Sequence, residues 1–197
     1  MSFWFQKIKL SMNFYKVLNN QKFSIDNYSI VPIRYGDRLS ILKWRNEQLY
    51  HLRQDKILTE SDQDNYFINI VNKLFDQDRP NQLLFSFMKD NICIGYGGLV
   101  HINWIDKNAE LSFIMDTELE KEFFSINWKV FLQLIEQVAF IELNFHKIFT
   151  FAFDLRPHLF LAIESADFKY EATLQDHYYF NKKYYDAIIH SKFNKYD

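Results

Sequence analysis

Two hydrophobic periods alternate along the chain, one close to the repeat of a strand and one close to that of a helix. Residues 22–35 set apolar and aromatic side chains around the turn-prone pair "DN", which is typical of a hairpin or two short strands. Residues 37–52 place leucines near helical spacing, with Asp37 as a candidate cap. Residues 59–75 open with "TES", which offers hydroxyl caps through Thr59 and Ser61, and continue as an amphipathic helix.

Three strand-like runs follow this pair of predicted helices. They span residues 82–89, 92–104 and 109–116, and the turn-forming stretches "KDN" and "IDKN" separate them. Because short turns join antiparallel neighbours, the three runs are predicted to form a meander. A helical stripe of apolar residues then predicts a long helix over residues 127–143.

The last part of the chain alternates again. Residues 147–154 predict a strand, residues 156–166 a helix with Pro157 in its first turn, and the remainder two strands around the turn "NKK". This order favours the α+β class, with one central mixed sheet, mostly antiparallel and twisted, flanked by helices. The helix over residues 156–166, between the two strands that follow the meander, implies a right-handed crossover and a parallel pair there.

Composition narrows the class of protein. Hydrophobic residues make up 48% and charged residues 24% of the 197 residues, as in ordinary globular proteins. Aromatic residues make up 19%, and they either fill the core or line a pocket. The formal net charge of −2 does not provide the concentrated positive face of a nucleic-acid-binding protein, so no nucleic acid is expected as a partner.

The chain is expected to form one domain of a cytoplasmic protein. Few glycines and prolines leave no flexible linker, and no apolar run is long enough for a signal peptide or a membrane span. The single cysteine, Cys93, stands between isoleucines and is expected to pack in the core of a protein in a reducing compartment. The histidines are scattered, so no metal site is predicted. Residues 1–27 are assigned to an N-terminal extension and leading strand and residues 28–197 to the domain, with Met12 as an alternative start.

Four stretches, taken in order, resemble one superfamily. They are "YSIVPIRYGDRLSILKWRNE", "CIGYGGLVHINWIDKNAELSFIMD", "QVAFIELNFHKIFTFAFD" and "ADFKYEATLQDHYYFNKKYYDAIIHS". They are similar to the GNAT superfamily of acyl-CoA N-acyltransferases, in the branch of ribosomal-protein N-terminal and bacterial amino-sugar N-acetyltransferases. The resemblance spans roughly residues 28–191 and implies a GNAT-like domain whose fourth and fifth strands splay apart.

The resemblance implies acetyl-CoA as the donor substrate, with its pantetheine arm in the gap between the splayed strands. In this family, freed backbone groups of the fourth strand pair with the arm, and by position they belong to Ile114, Met115 and Asp116. The donor pyrophosphate lies on a loop written [RQ]-x-x-G-x-[GA] in this family. The glycines let consecutive backbone N–H groups approach an anion at a helix N-terminus.

The stretch "EKEFFSINW" occupies the place of that loop and has no glycine. Glu120 and Glu122 add negative charge, and Lys121, Ser125 and Asn127 are the compensating groups. Ser125 is also a plausible helix N-cap. Three explanations stay open: a cradle that works without glycine and binds more weakly, a donor carried on a carrier protein, or a domain without catalysis. The flanking strands, which match the family, favour the first.

The catalytic base is expected among two side chains. The family commonly places a glutamate at the start of the fourth strand, which is Glu110 here, on the face of Ser112 and Ile114. His101, alternating with Leu99 on the neighbouring strand, is the second candidate, because histidine suits base chemistry near neutrality. The structural alternatives are a solvated strand-end carboxylate and a packing histidine.

The acceptor site is expected near the first helix, because the resemblance places the region of "KWRNEQLYHLRQ" over the acceptor. A guanidinium fork suits a phosphate or carboxylate, and aromatic rings could stack on a sugar or base. The candidate acceptor-binding residues are Arg45, Asn46, Arg53, Tyr96, Trp104, Asp154 and Arg156. Each has a structural alternative as a surface ion pair, a packed aromatic residue or a helix cap. The tyrosine that often acts as general acid in this family corresponds to about Ile163, so that role is vacant or is taken by another group.

These observations lead to a hypothesis of an N-acetyltransferase that moves an acetyl group from acetyl-CoA to a small-molecule primary amine. The favoured acceptor is a nucleotide-linked amino sugar for surface polysaccharide, a choice that rests on the resemblance around "WRN" and "GGLVH". The alternatives are a non-catalytic GNAT-fold domain that binds a ligand or protein, and a protein N-terminal acetyltransferase. A homodimer is the oligomeric form considered.

Overall fold

The computed structural model of the protein describes residues 13–195, so Met12 and the segment before it lie outside the described residues. From Asn13 onward the leading segment packs on the domain. Tyr15 is 1% exposed, and its hydroxyl bonds both the main-chain N–H and the carbonyl of Leu84 at 2.8 Å. The described part of the predicted N-terminal extension therefore contributes to the core.

Eight strands form one mixed sheet with the order β1-β2-β3-β4-β5-β6-β8-β7. Their bounds are β1 Phe23–Ile25, β2 Tyr28–Pro32, β3 Leu83–Lys89, β4 Ile92–Asn103, β5 Asn108–Met115, β6 Lys147–Phe153, β7 Lys169–Phe180 and β8 Lys183–Phe193. All neighbours are antiparallel except β5 and β6, which are parallel. The predicted hairpin and meander are confirmed. The parallel pair predicted for the two strands after the meander is wrong, because β8 lies between β6 and β7, and the parallel neighbours are β5 and β6.

Helices connect the strands on the faces of the sheet. Their bounds are α1 Arg38–Glu47, α2 Glu60–Tyr66, α3 Asn72–Leu74, α4 Glu120–Glu136 and α5 Pro157–Glu164. A π-helical segment, Phe67–Val71, joins α2 to α3 without a break, and another, Gln137–Glu142, extends α4. Within residues 13–195, no helix is both long and apolar enough to cross a membrane. The α+β class with a mixed, mostly antiparallel sheet is confirmed.

Helix α4 begins seven residues earlier than the apolar stripe predicts. Its first residue is Glu120, so "EKEFFSINW" forms the first two turns of the helix instead of a loop that precedes it. The predicted N-cap at Ser125 is therefore wrong, because Ser125 lies inside the helix and is exposed to solvent. Glutamate and phenylalanine are compatible with helix interiors, whereas the glycines of the family loop would stop or delay the helix.

The predicted caps of α1 and α2 have different outcomes, and of the two candidates for α2 Ser61 lies inside the helix and is not its cap. Thr59 caps α2 through a capping box, in which the Asp62 N–H donates to Thr59 Oγ1 at 3.1 Å. Asp37 stands at the N-cap of α1 but makes no side-chain cap. Its buried carboxylate instead accepts bonds from Arg34 Nε at 2.7 Å and from Ser86 Oγ at 2.6 Å. The Arg34 guanidinium and the Ser86 hydroxyl take the place of a helix N–H as donors to Asp37, so the cap prediction is wrong.

Aromatic residues fill the interface between α4 and the sheet. The rings of Phe113 on β5 and Phe131 on α4 stack at 4.0 Å with an angle of 10° between their planes. Phe87 meets both rings edge-on, at 5.5 and 5.7 Å. Such offset and edge contacts stabilise a core beyond the area that they bury, which accounts for much of the aromatic content.

Strands β5 and β6 separate after a short paired region. Pairing runs from Asn108 opposite Lys147 to Leu111 opposite Thr150 and goes no further, although β5 continues to Met115. The predicted splaying is thus confirmed. It leaves a gap in the centre of the sheet, and this gap is where the candidate site lies.

Candidate active site

A cleft of about 340 Å³ opens where β5 and β6 part. Its walls come from β4, β5, β6, α4, α5 and the segment after α1. A volume in this range suits a small-molecule site, and the central opening of a sheet gives it rigid walls.

Glu110, near the start of β5, is the centre of the polar contacts in this cleft. Arg53 Nη2 donates to one carboxylate oxygen at 2.8 Å, and His101 Nδ1 lies 2.8 Å from the other. The Glu110 side chain is only 12% exposed, whereas those of Arg53 and His101 are 48% and 65% exposed. The structure therefore brings three predicted site residues together, with the two basic groups on the open side of the carboxylate.

A bulge in β4 turns His101 toward Glu110. The β4–β5 pairing passes from Val100 opposite Glu110 to Asn103 opposite Asn108, so β4 has one more residue than β5 in this interval. His101 has φ of 49°, a left-handed conformation that is uncommon for a residue other than glycine. The expected simple alternation of His101 along the strand is wrong here, because the bulge re-aims the side chain. Backbone strain of this kind is often found at functional sites.

Arg45 and Tyr96 form a second polar contact deeper in the cleft. Arg45 Nη1 donates to the Tyr96 hydroxyl at 2.8 Å, and Arg45 Nε donates to Gln54 Oε1 at 2.9 Å. The adjacent Tyr96 oxygen raises the pKa of the Arg45 guanidinium, against the opposing effect of burial. Both predicted residues line the cleft, and Arg45 holds a fixed positive charge there.

Arg156, the N-cap residue of α5, places a third guanidinium in the cleft. It is 6% exposed, and its Nη1 lies 3.4 Å from Glu120 Oε1 in the first turn of α4. Burial lowers the pKa of Arg156 and raises the pKa of Glu120, so for both groups desolvation outweighs the attraction of the long ion pair. The pair is therefore incompletely compensated.

His51 follows α1 and lines the same cleft. Its Nε2 lies 3.0 Å from Gln48 Oε1, while Gln48 Nε2 donates to the Met115 carbonyl at 2.9 Å. Burial, reinforced by the positive charge of Arg156, lowers the pKa of His51 to about 3. His51 is therefore neutral at physiological pH, and through Gln48 it supports the end of β5.

The backbone of β5 offers fewer free groups to the gap than the resemblance implies. The Asp116 N–H donates to the Ile94 carbonyl at 2.9 Å. Strand alternation then turns the main-chain groups of Ile114 and Asp116 toward β4, and those of Phe113 and Met115 toward the gap. The expectation of freed groups at Ile114 and Asp116 is corrected, and Met115 keeps only its N–H because Gln48 takes its carbonyl.

The gap fits the arm of a CoA thioester. Phe113, Ile114 and Trp128 provide apolar walls, and Trp128 has a buried indole N–H without a hydrogen-bond partner among the described residues. A buried donor of this kind is costly unless a ligand or water pairs with it. The indole N–H is therefore a natural partner for a carbonyl or amide of a bound arm.

The start of α4 does not fit the pyrophosphate of the donor in the way that the family loop does. Asp116 Oδ1 already accepts from the Glu118 N–H at 3.1 Å, and the Glu120 carboxylate stands in the first turn beside Arg156. Lys121, one of the predicted compensating groups, is exposed on the helix. Carboxylates therefore hold the place where an anion would otherwise be stabilised by the helix N-terminus.

The other two predicted compensating groups also lie inside α4. Ser125 is exposed, and Asn127 is 1% exposed with its Oδ1 unpaired among the described residues. Neither lines the cleft. Their proposed contact with the donor has no support from this arrangement, because the early start of the helix carries them away from its N-terminus.

Three predicted acceptor residues lie outside the cleft. Asn46 Oδ1 accepts from the Leu58 N–H, and Asn46 Nδ2 donates to the Leu58 carbonyl, each at 2.9 Å. Trp104 Nε1 donates to the Pro80 carbonyl at 2.8 Å, and its ring packs edge-on against Phe145. Asp154 is exposed beyond the end of β6. The geometry thus gives Asn46 and Trp104 structural roles.

Sequence reasoning missed several residues that line the cleft. They are His51, Tyr66, Trp128, Thr150, Phe151 and Phe153. The alternation in "KIFTFAFD" places Phe151 and Phe153 on one face of β6 and would have been a signal for them. Trp128 gives no such signal, because a helix stripe does not distinguish a core ring from a cleft wall.

Comparisons with known proteins agree with this architecture. The spermidine N-acetyltransferase of Vibrio cholerae, solved with CoA and spermine, superposes with a TM-score of 0.76 at 17% identity, over 86% of this chain and 97% of that chain. A structure described as a probable acetyltransferase superposes with a TM-score of 0.73 at 17% identity, over 89% of this chain and 98% of that chain. A dodecameric form of the Vibrio cholerae enzyme superposes with a TM-score of 0.69 at 18% identity, over 86% of this chain and 95% of that chain. Identities this low establish the fold alone.

The family itself is established from the sequence. No curated protein matches the chain closely enough to count. The family described as "Acetyltransferase (GNAT) domain" matches residues 30–189, which is most of the chain and includes the whole cleft. The chain therefore belongs to the GNAT family of acetyltransferases.

Proposed function

We propose that this protein transfers an acetyl group from acetyl-CoA to the amine of a nucleotide-linked amino sugar. One observation carries the choice of acceptor. Among the described residues that line the cleft, the permanently charged side chains are Arg45, Arg53 and Arg156 against the single carboxylate of Glu110. A cleft with this charge favours an anionic acceptor, since guanidinium groups bind diphosphates strongly.

The Glu110–His101 pair is the proposed general base. A neutral His101 donates its Nδ1–H to the Glu110 carboxylate, which leaves Nε2 to take the proton of the attacking amine. The amine nitrogen attacks the thioester carbonyl, the C–N bond forms, and the C–S bond breaks to release CoA thiolate. If Glu110 takes the proton directly, the two basic neighbours hold its carboxylate in place.

The departing thiolate needs a proton from a group other than the family tyrosine. Ile163, at the corresponding position, is fully buried and has no proton to give. Tyr66 and Tyr96 both line the cleft, and burial raises the pKa of Tyr66, so its hydroxyl stays protonated at neutral pH. They are the candidates for this step.

Polyamine acetylation is the second candidate function. It is favoured by the structural similarity to the spermidine N-acetyltransferase solved with spermine. A polyamine carries several positive charges, and three arginines in the cleft would repel them. The charge of the cleft therefore ranks this function, and acetylation of protein N-termini, below the nucleotide-linked amino sugar.

The test is steady-state acetylation of a panel that contains nucleotide-linked amino sugars, free amino sugars, spermidine and short peptides. Arg53→Ala should raise KM for the nucleotide-linked amino sugar about 10- to 100-fold, with a smaller effect on kcat. Loss of one charge-assisted contact is worth about 1.5–3 kcal/mol. Arg79→Ala, at an exposed arginine before β3, is the matched control. Acetylation of spermidine or peptides without any nucleotide sugar would overturn the proposed acceptor.

Two further properties stay predictions. The location in a reducing cytoplasm is expected from the single cysteine of the chain, Cys93, which is a free thiol. The homodimer is expected because β7 is a long edge strand of the sheet formed by residues 13–195, and such an edge suits pairing with a second copy.

A further inference from the structure

A row of aromatic side chains continues outward from the catalytic cleft. Phe151, Phe153, His177 and Tyr178 line a second hollow, in which His177 and Tyr178 extend the wall that Phe151 and Phe153 form in the cleft, beside Arg53 and Glu110. We refer to these four residues as the aromatic shelf. None of them has a part in the chemistry proposed above, so the shelf needs its own explanation.

The rings of the shelf are held in fixed relative positions. Phe153 and Tyr178 stack at 3.9 Å with an angle of 8° between their planes. The Phe151 ring meets the rings of Phe153 and His177 edge-on, with centroid distances of 5.9 Å and 5.4 Å. His177 is exposed, Phe151 and Tyr178 are half-buried, and Phe153 is buried beneath Tyr178, so three of the four rings reach the surface. An ordered aromatic surface next to a cleft favours a flat apolar ligand.

A bulge in β7 presents the outer half of the shelf. The β7–β8 pairing passes from Leu174 opposite Ala187 to Tyr178 opposite Tyr185, with extra residues on β7. Within this bulge Asp176 has φ of 49°, and its N–H donates to Asp186 Oδ1 at 2.9 Å. The bulge is therefore pinned by a side chain, and it holds His177 and Tyr178 against β6.

The spacing along β6 decides which ligands can use the shelf. Glu110 lies opposite Phe149, and Phe153 is four residues further along the strand. At about 3.3 Å per residue, the far ring is about 13 Å from the level of the catalytic carboxylate. Tyr178 stacks on the buried Phe153 at this level, so only an acceptor of that length can present its amine to Glu110 and a ring to Tyr178.

A positive charge lies between the carboxylate and the rings. The Arg53 guanidinium stands 4.4 Å from the centroid of Phe151 and uses Nη2 to bond Glu110, while its remaining N–H groups make no hydrogen bond among the described residues. Going outward, the cleft thus presents a base, an anion-binding fork and aromatic rings. This order matches an amine, a diphosphate and a nucleobase.

We infer that the aromatic shelf binds the nucleobase of the acceptor by stacking, with Arg53 on the adjacent diphosphate. The inference rests on the proposed function for the identity of the acceptor, but the shelf can be tested without turnover. Stacking on an aromatic ring tolerates any base, so the shelf supplies affinity more than base selectivity.

The decisive variant is Tyr178→Ala, measured by calorimetry with uridine diphosphate while CoA is present to fill the donor site. We expect its affinity to fall about 10-fold, since stacking on one ring accounts for a change of this order. Pyrophosphate, which has no ring, should bind the variant and the wild type equally. Tyr178→Phe keeps the ring and should keep the affinity. Tyr179→Ala, at an exposed tyrosine next in sequence, is the control for the hairpin.

The outcomes separate the shelf from the proposed function. Equal uridine diphosphate affinity in the wild type and Tyr178→Ala, or an equal loss for pyrophosphate, overturns the shelf. Acetylation of a nucleotide-linked amino sugar with an unchanged KM in Tyr178→Ala also overturns the shelf while the proposed function stands. Ring-dependent binding without acetylation of any nucleotide sugar supports the shelf and overturns the proposed function.

Discussion

Glu110 accepts hydrogen bonds from side chains that reach it from two different parts of the chain. Arg53 comes from the segment after α1, and His101 comes from the bulge in β4. A carboxylate with two partners is held in one rotamer, which is the requirement for a base that must meet an amine at a fixed distance. At this scale the site is an oriented carboxylate–imidazole pair with a cation at its side.

Glu110→Gln is expected to lower kcat by about 100-fold or more, because the amide neither takes the amine proton nor orients a protonated imidazole. His101→Asn should lower kcat as well. If the two side chains act as one unit, kcat of the double variant should be only slightly lower than kcat of the slower single variant. Steady-state rates with saturating acceptor measure all three.

Glu171→Gln is the matched control for this series. Glu171 lies on β7 outside the cleft, and its Oε1 accepts a hydrogen bond from Lys147 Nζ on β6 at 2.6 Å. It should leave kcat unchanged, and circular dichroism should show the same fold in every variant. A wild-type rate in Glu110→Gln would remove this residue from the mechanism and leave His101 as the base.

Helices and strands with a clear hydrophobic period were predicted well from the sequence. Features that depend on contacts between residues distant in sequence were not. The meander follows from turn residues and strand alternation, and the structure confirms it. The parallel pair expected for β6 and β7 is wrong, because β8 inserts between them through contacts that no local pattern shows. The contact of Glu110 with His101 could be placed on adjacent strands, but the bulge that completes it has no glycine to mark it. The start of α4 was missed because its first two turns bury few side chains, so the apolar stripe begins late.

The early start of α4 bears directly on the donor. Glu120 adds a negative charge to the first turn of α4, where the diphosphate of the donor should bind. It also forms an ion pair with Arg156, which would otherwise be available to that diphosphate. Glu120→Gln should therefore raise the affinity for acetyl-CoA about 2- to 5-fold, the equivalent of 0.3–1 kcal/mol for a charge at a helix N-terminus. Calorimetry gives the affinity, and S-acetylpantetheine, which lacks the diphosphate, is the control ligand that should not respond.

Two results would contradict this account of the donor. An equal gain for S-acetylpantetheine would show that the change acts on the arm and not on the diphosphate. No saturable binding of acetyl-CoA to the wild type at millimolar concentration would exclude it as the donor and favour a donor carried by another protein.

At the scale of the whole molecule, the cleft is part of the core and not an attachment to it. Phe113 and Trp128 line the cleft and also pack in the aromatic layer between α4 and the sheet. His51 joins the cleft to the end of β5 through Gln48. Changes in the protonation of a cleft residue are therefore expected to alter the stability of the entire domain.

His51 gives the sign and the pH window of this coupling. In the unfolded chain a histidine binds a proton below about pH 6.5, whereas burial and Arg156 keep the pKa of His51 in the folded protein at about 3. The unfolded state thus binds one more proton between these values, so the free energy of unfolding falls as the pH is lowered from 6.5 toward 3. One proton corresponds to a slope of at most about 1.4 kcal/mol per pH unit.

His51→Gln removes this titration and keeps an N–H donor for Gln48. Urea unfolding of the wild type and the variant at several pH values from 4 to 7.5 measures the difference. The variant should lose less stability than the wild type as the pH falls below 6.5, while other acidic groups titrate equally in both proteins. Parallel curves for the two proteins would mean that His51 is protonated in the folded state. The cleft would then carry another positive charge in acid, with no coupling to folding through this residue.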